Sequence, residues 1–291
     1  FDRVICHAPW SQGIFGGVVR RAEVPLAFWA HDIMTGCHWT ERLAKRITPD
    51  LVICNSHYTA GTLARLYRDV PREVVYAPVE GSTGAVDRTE LRRLRASLQT
   101  PDEAVVVIQV SRSEAWKGHA LLLEALAELR AVPGWVWWQV GGAQRPAEEA
   151  FLASLRATAA RLGIGDRVRW LGERTDVRHL LAAADVHCQA NLAPEPFGVT
   201  FVEALASGLP VVTSDLGGAR EIVDETCGLL VTPQDAAGLA AALGRLITDA
   251  ELRGRMSRQA PVRARRLCDP DTQLRRLLSV LTGMRPAGVE A

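Results

Sequence analysis

Two glutamates eight positions apart, Glu195 and Glu203, lie in the stretch EPFGVTFVEALASGLPVVTS (residues 195–214). If the chain between them were helical, their carboxylates would be roughly 12 Å apart along the helix axis. That distance exceeds the roughly 5–9.5 Å that the two carboxylates of a glycosidase require. Because Pro196 also disfavours helical geometry at Glu195, we predict Glu195 in a loop and a helix that begins around Gly198.

The predicted helix start has the features of an anion site. It follows the strand-like segment DVHCQAN, and a parallel α/β sheet binds ligands at the loops that leave the carboxyl ends of its strands. Exposed N–H groups at such a helix start bind anions such as phosphate. These groups belong to Phe197, Gly198, Val199 and Thr200. The two flanking carboxylates would then suit a sugar on one side of a diphosphate and a ribose on the other.

Structural roles for both glutamates stay open. Thr200 and Glu203 also match a capping box, in which two side chains close a helix start. Glu195 could be a solvated acid in a loop. Spacing alone does not distinguish these roles from ligand binding.

The composition limits the classes of function. A formal net charge of +1 over 291 residues argues against a nucleic-acid binder, which normally carries a strongly basic domain. The six cysteines include no CxxC pair, which is typical of reduced residues in a cytosolic protein. No apolar run reaches membrane-spanning length. Lys45 and Lys117 are the only lysines, so each is a candidate for a specific task.

Short β-branched runs alternate with segments of helical period along the chain, and this alternation predicts a parallel α/β fold. In the first part of the chain, we predict strands at about 3–7, 25–30, 51–54 and 73–77, and helices near 38–47 and 57–68. Ser56 is the predicted N-cap of a helix with an apolar stripe at Leu63, Leu66 and Tyr67. The small-residue segment at 77–90 is the predicted interdomain linker.

A second cycle of strands and helices follows the linker. The predicted strands are AVVVIQVSR, WVWWQVGG, RVRWLG, DVHCQAN, LPVVTSD and CGLLVTP, with helices near 118–130, 147–161, 175–183, 198–207 and 235–248. Runs such as residues 105–110 show no alternation, as expected for strands covered on both faces. The fold class is therefore α/β, with two Rossmann-like domains of which the N-terminal one is expected to be incomplete.

The stretch EPFGVTFVEALASGLPVVTSDLGGAREIV resembles the E-x7-E signature of the retaining glycosyltransferases of family 4, which have the GT-B fold. The segments QVSRSEAWKGHALLLEAL, VRWLGERTDVRHLLAAADV and CGLLVTPQDAAGLAAAL are similar to other parts of that family's donor domain. The segments PLAFWAHDIMTG and LVICNSHYTAGTLARLYRDVPREVVYAPVE look like the later part of its acceptor domain. The family's opening strands and first Gly-rich loop have no counterpart here.

The resemblance implies that the chain consists of three parts. Residues 1–84 would form a partial Rossmann-like domain on the acceptor side. Residues 85–270 would form the Rossmann-like domain that binds the nucleotide sugar. Residues 271–291 would form a C-terminal helix that packs back toward the N-terminal domain.

The resemblance also implies roles for charged residues. Glu195 would contact hydroxyls of the donor sugar and Glu203 those of the ribose. Arg112 and Lys117 would hold the diphosphate, where cations stabilise the negative charge that builds on a leaving nucleoside diphosphate. The alternative is that both cations are surface charges beside Trp116.

Histidines and glycines add weaker candidates. His31 follows a predicted strand at a place where the family often has a histidine near the donor sugar, although a lone histidine is more often structural. We expect no role for His7 and a core position for His187. Gly217 and Gly218 could shape a turn beside the sugar or form a simple Gly-rich turn.

The implied activity is transfer of a sugar, with retention, from a UDP- or GDP-linked donor to a hydroxyl of a glycan, a lipid or a small molecule. No DxD-type carboxylate pair is visible, so we expect no metal ion and no other cofactor. The main alternative is a donor-binding fragment without turnover, unless a second chain completes its N-terminal domain. A nicotinamide-dependent oxidoreductase is disfavoured, because no GxGxxG lies between a strand and a helix.

The tail ELRGRMSRQAPVRARRLCDPDTQLRRLLSVL is arginine-dense and helical in pattern. We predict interruptions near Pro261 and Pro270. A basic amphipathic helix can lie on an anionic membrane, but a solvated helix face is favoured because no Trp or Phe marks its apolar side. The expected location is therefore cytoplasmic, with the inner membrane surface as the alternative.

Overall fold

The computed structural model describes residues 1–81 and 87–284, and the chain divides into two compact units. The first comprises Phe1–Pro78 and the chain from Cys268 onward, and the second comprises Val79–Leu267. The boundary predicted between residues 84 and 85 lies outside the described residues. The other boundary, predicted after residue 270, falls after Leu267.

The first unit is built on a sheet of four parallel strands. These are β1 (Val4–His7), β2 (Leu26–Ala30), β3 (Leu51–Cys54) and β4 (Arg72–Val74), which are adjacent in chain order. The four predicted strands are confirmed, although β4 ends at Val74 instead of residue 77. Hydrophobic clusters pack on both faces of the sheet, which explains why β2 and β3 consist almost wholly of buried apolar residues.

The first unit also contains helices, most of which connect its strands. Among its described residues they are α1 (Ala8–Arg21), α2 (Trp39–Ala44), α3 (His57–Thr62) and, after the second unit, α12 (Pro270–Thr282). The predicted N-cap of α3 is confirmed, since the Ser56 hydroxyl accepts a hydrogen bond from the N–H of Thr59. Apolar residues of α12 pack on one face of the sheet, against a cluster that includes Ala27, Leu51 and Ile53.

Helix α1 was not predicted, and the polarity of its faces explains why. Its buried residues are small or polar, namely Ser11, Gln12 and Gly16. Gln12 is fully buried and donates a hydrogen bond from Nε2 to the Ile47 carbonyl at 2.9 Å. The opposite side carries large apolar side chains, each more than half exposed: Trp10, Ile14, Phe15 and Val18. The apolar residues of α1 therefore mark its solvent face instead of its core face.

The second unit contains a sheet of six parallel strands. These are β5 (Val105–Val110), β6 (Trp135–Val140), β7 (Val168–Gly172), β8 (Val186–Gln189), β9 (Val211–Ser214) and β10 (Gly228–Val231). Their spatial order is β10-β9-β8-β5-β6-β7, and each matches a predicted strand. The direction in which the chain adds strands reverses between β5 and β8. Such a switch point is where open α/β sheets bind ligands.

The helices of the second unit connect these strands. They are α4 (Arg88–Ser97), α5 (His119–Glu128), α6 (Pro146–Arg161), α7 (Val177–Ala183), α8 (Val199–Ala206), α9 (Ala219–Ile222) and α10 (Ala236–Thr248). All were predicted except α9 and α4. The start of α4 occupies the end of the predicted linker, whose residues 82–86 lie outside the described part of the chain.

Helix α11 (Ala250–Cys268) runs through Pro261, so the interruption predicted there is wrong. Met256 and Ala264 are buried on either side of the proline, and their packing holds the helix although one N–H donor is missing. The interruption predicted at Pro270 is confirmed, since that residue begins α12. Within residues 1–81 and 87–284, no helix combines the length and hydropathy needed to span a membrane.

Candidate functional site

The loops that follow β5 and β8 meet at the switch point. The N–H of Leu192 donates a hydrogen bond to the Trp116 carbonyl at 2.8 Å. Gly118 is the N-cap of α5 with a φ of 76°, and a Cβ at this position would lie 1.8 Å from the Ala190 carbonyl oxygen. Because only glycine permits this approach, Gly118 determines how closely the two loops pack.

Lys117 and Glu195 form an ion pair between these loops. Lys117 Nζ is 2.7 Å from Glu195 Oε2, and each side chain is 15% exposed. Asn191 donates from Nδ2 to the same oxygen at 3.0 Å, and its own Oδ1 accepts from Gln189 Nε2 at 2.9 Å. The ammonium also lies 3.9 Å from the ring centroid of Trp116. The switch point thus holds a cation and a carboxylate that both remain within reach of solvent.

Sequence analysis did not identify Asn191 as a site residue. A signal was present, because this polar residue ends the segment that leads out of a buried strand. The side chain is buried, where an amide is costly unless it is hydrogen-bonded. Asn191 therefore orients Glu195 as part of the folded loop.

Gly217 and Gly218 pack against the loop that carries Glu195. The N–H of Gly218 donates to the Glu195 carbonyl at 2.8 Å. A Cβ at Gly217 would lie 2.4 Å from that same oxygen, and one at Gly218 would lie 2.6 Å from the Phe197 Cα. This contact fixes the backbone of Glu195 and accounts for both glycines without a ligand.

Helix α8 begins where the sequence predicted. Gly198 is its N-cap with a φ of 105°, Phe197 before it is buried, and Val199 at the first helical position is exposed. No side chain of the described residues caps this helix, so the capping-box interpretation of Thr200 and Glu203 is wrong. Thr200 is instead a half-buried residue of the first turn. A helix start that lacks a side-chain cap is the kind that binds an anion.

Glu203 is half-buried within α8. Burial raises the pKa of its carboxyl, and the nearby positive charge of Arg178 opposes that shift. Among the described residues, no group donates a hydrogen bond to this carboxylate. The carboxylate is therefore available to an external hydroxyl.

Arg112 lies in the loop after β5, as predicted, but it is not a lone cation. One terminal nitrogen is 2.7 Å from a Glu114 oxygen and the other is 3.7 Å from a Glu148 oxygen. Its side chain is 40% exposed. Sequence analysis missed both acidic partners. Glu114 is only two residues from Arg112, whereas Glu148 comes from α6 and reaches Arg112 only in the folded protein.

A network of buried polar residues forms hydrogen bonds with the loop after β5. Gln109 donates to the Lys117 carbonyl at 2.9 Å. The His119 Nε2 atom lies 3.2 Å from the Ser111 hydroxyl and 3.0 Å from Gln139 Nε2. Burial lowers the pKa of His119 to about 4, so its imidazole is neutral near pH 7. The backbone that carries Lys117 is therefore anchored to a neutral hydrogen-bonded core.

His31 belongs to the first unit and directly follows β2 at the carboxyl edge of its sheet. Its Nε2 is 2.8 Å from Nδ1 of His7, a residue for which no role was expected. Asn55 donates from its side chain to the His31 carbonyl at 2.8 Å. Loss of hydration and the proximity of His7 lower the pKa of His31, while Asp32 opposes the shift.

His187, in contrast, is a core residue as predicted. It is fully buried in β8, and burial lowers the pKa of its imidazole to about 3. Its ring lies edge-on to that of Phe201, with the centroids 5.8 Å apart. His187 therefore contributes to packing beneath the switch point.

The structure brings together some of the predicted site residues. Lys117 and Glu195 are in direct contact, and Phe197, Gly217 and Gly218 adjoin the same loop. Within the described residues, no hydrogen bond or ion pair joins Arg112 or Glu203 to that pair. The described residues also contain no group of three or more His, Cys, Asp or Glu side chains that could hold a metal ion.

Comparison with known proteins shows the family of this chain. Residues 91–263 match the family described as glycosyl transferases group 1. The chain belongs to this family. It is 33% identical over 219 residues to the lipopolysaccharide core biosynthesis glycosyltransferase LpsE of Rhizobium meliloti, covering 74% of this chain and 59% of LpsE. It is also 33% identical over 298 residues to a D-inositol 3-phosphate glycosyltransferase of Salinispora tropica, covering 91% of this chain and 60% of that protein.

The chain thus spans about six-tenths of the length of these two relatives. Among solved structures, Anabaena HepE in complex with UDP and glucose superimposes with a TM-score of 0.88 at 28% identity, over 98% of this chain and 78% of HepE. Sucrose-phosphate synthase from Thermosynechococcus elongatus gives a TM-score of 0.81 at 22% identity, over 97% of this chain and 73% of the synthase. The fold is of the GT-B type, with two Rossmann-like units.

Proposed function

We propose that this chain carries the donor site of a retaining glycosyltransferase of family 4, which transfers a sugar from a UDP- or GDP-linked donor to a hydroxyl acceptor. The observation that carries the proposal is the ion pair of Lys117 and Glu195 at the switch point of the second sheet. A cation there suits a diphosphate, and a carboxylate suits sugar hydroxyls. The names of the relatives and the UDP in the HepE structure support the same donor chemistry.

The ion pair leaves binding capacity for a donor. An ammonium has three N–H donors and a carboxylate accepts on two oxygens, whereas the pair uses only Oε2 of Glu195. Lys117 can therefore bind a phosphate oxygen while it still contacts Glu195. Oε1 of Glu195 can accept from a sugar hydroxyl at the same time.

The other predicted residues would complete the donor site. Arg112 would share the charge of the diphosphate with Lys117, and its planar guanidinium suits two phosphate oxygens. The N–H groups at the start of α8 would donate to the same phosphates. Glu203 would accept hydrogen bonds from the ribose hydroxyls. The contact of His31 with the donor sugar, which the resemblance implies, stays a prediction.

The reaction requires orientation and charge neutralisation from the protein. In the proposed step, the acceptor oxygen attacks the anomeric carbon from the face that the diphosphate leaves. The bond from that carbon to the phosphate oxygen breaks, and a phosphate oxygen takes the acceptor proton. Lys117 and Arg112 stabilise the negative charge where it develops.

We also propose that the transfer needs no metal ion, because two cationic side chains supply the positive charge at the diphosphate. Transfer should continue in the presence of EDTA. Loss of transfer in EDTA, with recovery on adding Mn²⁺ or Mg²⁺, would contradict this proposal.

A second candidate function is donor binding without turnover, with a second polypeptide needed for transfer. One observation favours it: the two cations proposed to hold the diphosphate, Arg112 and Lys117, both belong to the second unit, so donor binding needs no residue from elsewhere. The two candidates share the donor site and differ only in turnover.

Two measurements test these proposals in order. Thermal unfolding is followed with UDP, GDP, ADP and TDP without metal, since a ligand at a hundred times its dissociation constant stabilises the folded state by about 2.7 kcal/mol. Release of nucleotide from UDP-glucose and GDP-mannose is then measured. A shift with one nucleotide and release from its sugar supports the transferase, and a shift without release supports the second candidate. Absence of any shift contradicts the donor site.

A further inference from the structure

The two oxygens of the Glu195 carboxylate have different surroundings. Oε2 lies 2.7 Å from Nζ of Lys117 and 3.0 Å from Nδ2 of Asn191. Among the described residues, no group donates a hydrogen bond to Oε1. Because the side chain is 15% exposed, Oε1 is the oxygen that a ligand can reach.

Asn191 is anchored to the end of a buried strand. Gln189, the last residue of β8, donates a hydrogen bond from Nε2 to Oδ1 of Asn191 at 2.9 Å. The two residues are 1% and 2% exposed, respectively. The hydroxyl of Thr213 in β9 donates to the Gln189 carbonyl at 2.8 Å. A chain of hydrogen bonds therefore runs from the interior of the sheet to Glu195.

The chemistry of the groups fixes the direction of this chain of hydrogen bonds. The carboxylate paired with Lys117 can only accept, so Asn191 must turn its NH2 group toward Glu195. The amide oxygen of Asn191 then faces Gln189, which must present its own NH2 group. Reversing either amide would bring two acceptor oxygens together, and such a mismatch is costly in a buried site. The bond from Asn191 to Glu195 therefore has one possible orientation.

We propose that Asn191 is a positioning residue for the sugar of the donor, which holds Oε2 of Glu195 so that Oε1 meets a sugar hydroxyl in one orientation. This inference rests on the proposed function, in which Glu195 contacts the sugar and Lys117 contacts the diphosphate. All three residues belong to the second unit. Asn191 itself does not touch the donor. It therefore strengthens the binding of a nucleotide sugar and leaves the binding of a free nucleoside diphosphate nearly unchanged.

Two substitutions at one position separate this role from packing. Asn191→Leu keeps most of the side-chain volume but removes the amide, and Asn191→Ala removes the amide and the volume. Lys117 can keep its contact with Glu195 in both variants. A packing role predicts a larger effect in Asn191→Ala, whereas a positioning role predicts that both variants lose the same preference for the nucleotide sugar.

Thr213→Val is the matched control. It removes a buried hydrogen bond to the backbone of Gln189 and preserves the side-chain bonds that lead to Glu195. The variant should be less stable than the wild type in urea. Its affinities for nucleotide sugar and nucleotide should nevertheless stay in the wild-type ratio.

Isothermal titration calorimetry of the full chain at pH 7 without metal measures this ratio directly. The ligands are UDP-glucose with UDP, and GDP-mannose with GDP. We expect both Asn191 variants to bind the nucleotide sugar about tenfold more weakly, as expected for one lost hydrogen bond to a charged group. Their affinity for the matching nucleotide should stay close to that of the wild type.

The possible failures can be told apart. An equal loss of affinity for nucleotide sugar and nucleotide in both variants would overturn the inference, because Asn191 would then support the whole site and not the sugar contact. Wild-type affinity for the nucleotide sugar in both variants would overturn it as well. A wild type that binds none of the four ligands would contradict the proposed donor site, and the inference would fall with it.

Discussion

Lys117 and Glu195 are 78 positions apart in the sequence, yet their charged atoms are 2.7 Å apart. The proximity follows from the pairing of β5 with β8, whose parallel register sends both strands out at the same edge of the sheet. Gly118 then allows the two loops to touch. The sheet topology therefore brings these two residues together. Either residue can be replaced without changing the strands that position it.

Replacing Lys117 with Met should abolish the stabilisation by nucleoside diphosphate. The substitution keeps most of the side-chain volume but removes the ammonium, so the Glu195 carboxylate retains only Asn191 as a hydrogen-bond partner among the described residues. We expect a loss of about 1–3 kcal/mol in the free energy of unfolding, between the values for exposed and buried pairs. Nucleotide release from a sugar donor should fall by about 100-fold or more.

Lys45→Met is the matched control for that substitution, because Lys45 is the only other lysine and lies exposed at the end of α2. Nucleotide should raise the melting temperature of Lys45→Met as much as it raises that of the wild type. If both variants kept their nucleotide-dependent shift, Lys117 would not be part of the donor site.

Glu203→Gln should stabilise the ligand-free protein while weakening donor binding. Burial raises the pKa of Glu203, so the folded state binds a proton more readily than the unfolded state. The carboxyl therefore favours folding at low pH, and that contribution is lost as the pH rises through the folded pKa. At pH 7 the variant should melt higher than the wild type, and the difference should shrink toward pH 4.5. Glu225→Gln, at an exposed position, should show neither effect, and a Glu203→Gln protein that melts lower at pH 7 would contradict the prediction.

The strands could be predicted because their apolar runs depend on local composition. Residues 105–110 form an uninterrupted apolar segment except for Gln109, and the structure covers that strand on both faces. Helix α1 could not be predicted in the same way. Its core side is made of Ser11, Gln12 and Gly16. These small or polar residues are buried because the adjoining chain packs closely against them. A search for apolar residues at helical spacing does not detect a helix of this kind.

The residues that carry chemistry were predicted by type, and their partners were not. The sequence indicated Glu195, but the roles of Asn191 as its hydrogen-bond donor and of Glu148 as a partner of Arg112 depend on which loops the sheet brings together. His7 ends a predicted strand, and no role was expected for it. Its pairing with His31 depends on the register of β1 and β2, which no local pattern determines.

Gly118→Ala should disrupt the site more than its backbone conformation alone predicts. The φ of Gly118 is 76°, and an added Cβ would lie 1.8 Å from the Ala190 carbonyl oxygen. Gly134 is a matched control with a φ of 75° and no atom within 4 Å of an added Cβ. Gly134→Ala should cost about 1 kcal/mol of unfolding free energy, from backbone strain alone. Gly118→Ala should cost clearly more in urea unfolding and should weaken nucleotide binding, and equal costs for the two variants would contradict the close packing of the loops.

The buried His119 should make the protein less stable in mild acid. Its pKa is lowered to about 4 by burial, whereas an unfolded histidine titrates near 6.5. Between these values the unfolded chain takes up the proton and the folded chain does not, so stability falls as the pH drops. The linkage relation gives a loss of about 2 kcal/mol between pH 7 and pH 5 from this residue. His187, whose pKa is lowered to about 3, should add a loss of the same sign.

Urea unfolding of the wild type and of His119→Gln at pH 7 and pH 5 measures how much His119 contributes to the loss of stability in acid. The variant should be less stable at pH 7, because it loses the packed ring and its contacts with Ser111 and Gln139. Its loss of stability between the two pH values should nevertheless be smaller than that of the wild type by about 2 kcal/mol. His179→Gln, at an exposed position, should keep the wild-type pH dependence. An identical pH dependence in His119→Gln would mean that the buried imidazole takes up a proton as readily in the folded protein as in the unfolded chain, and the network that anchors the loop would then carry a positive charge at pH 5.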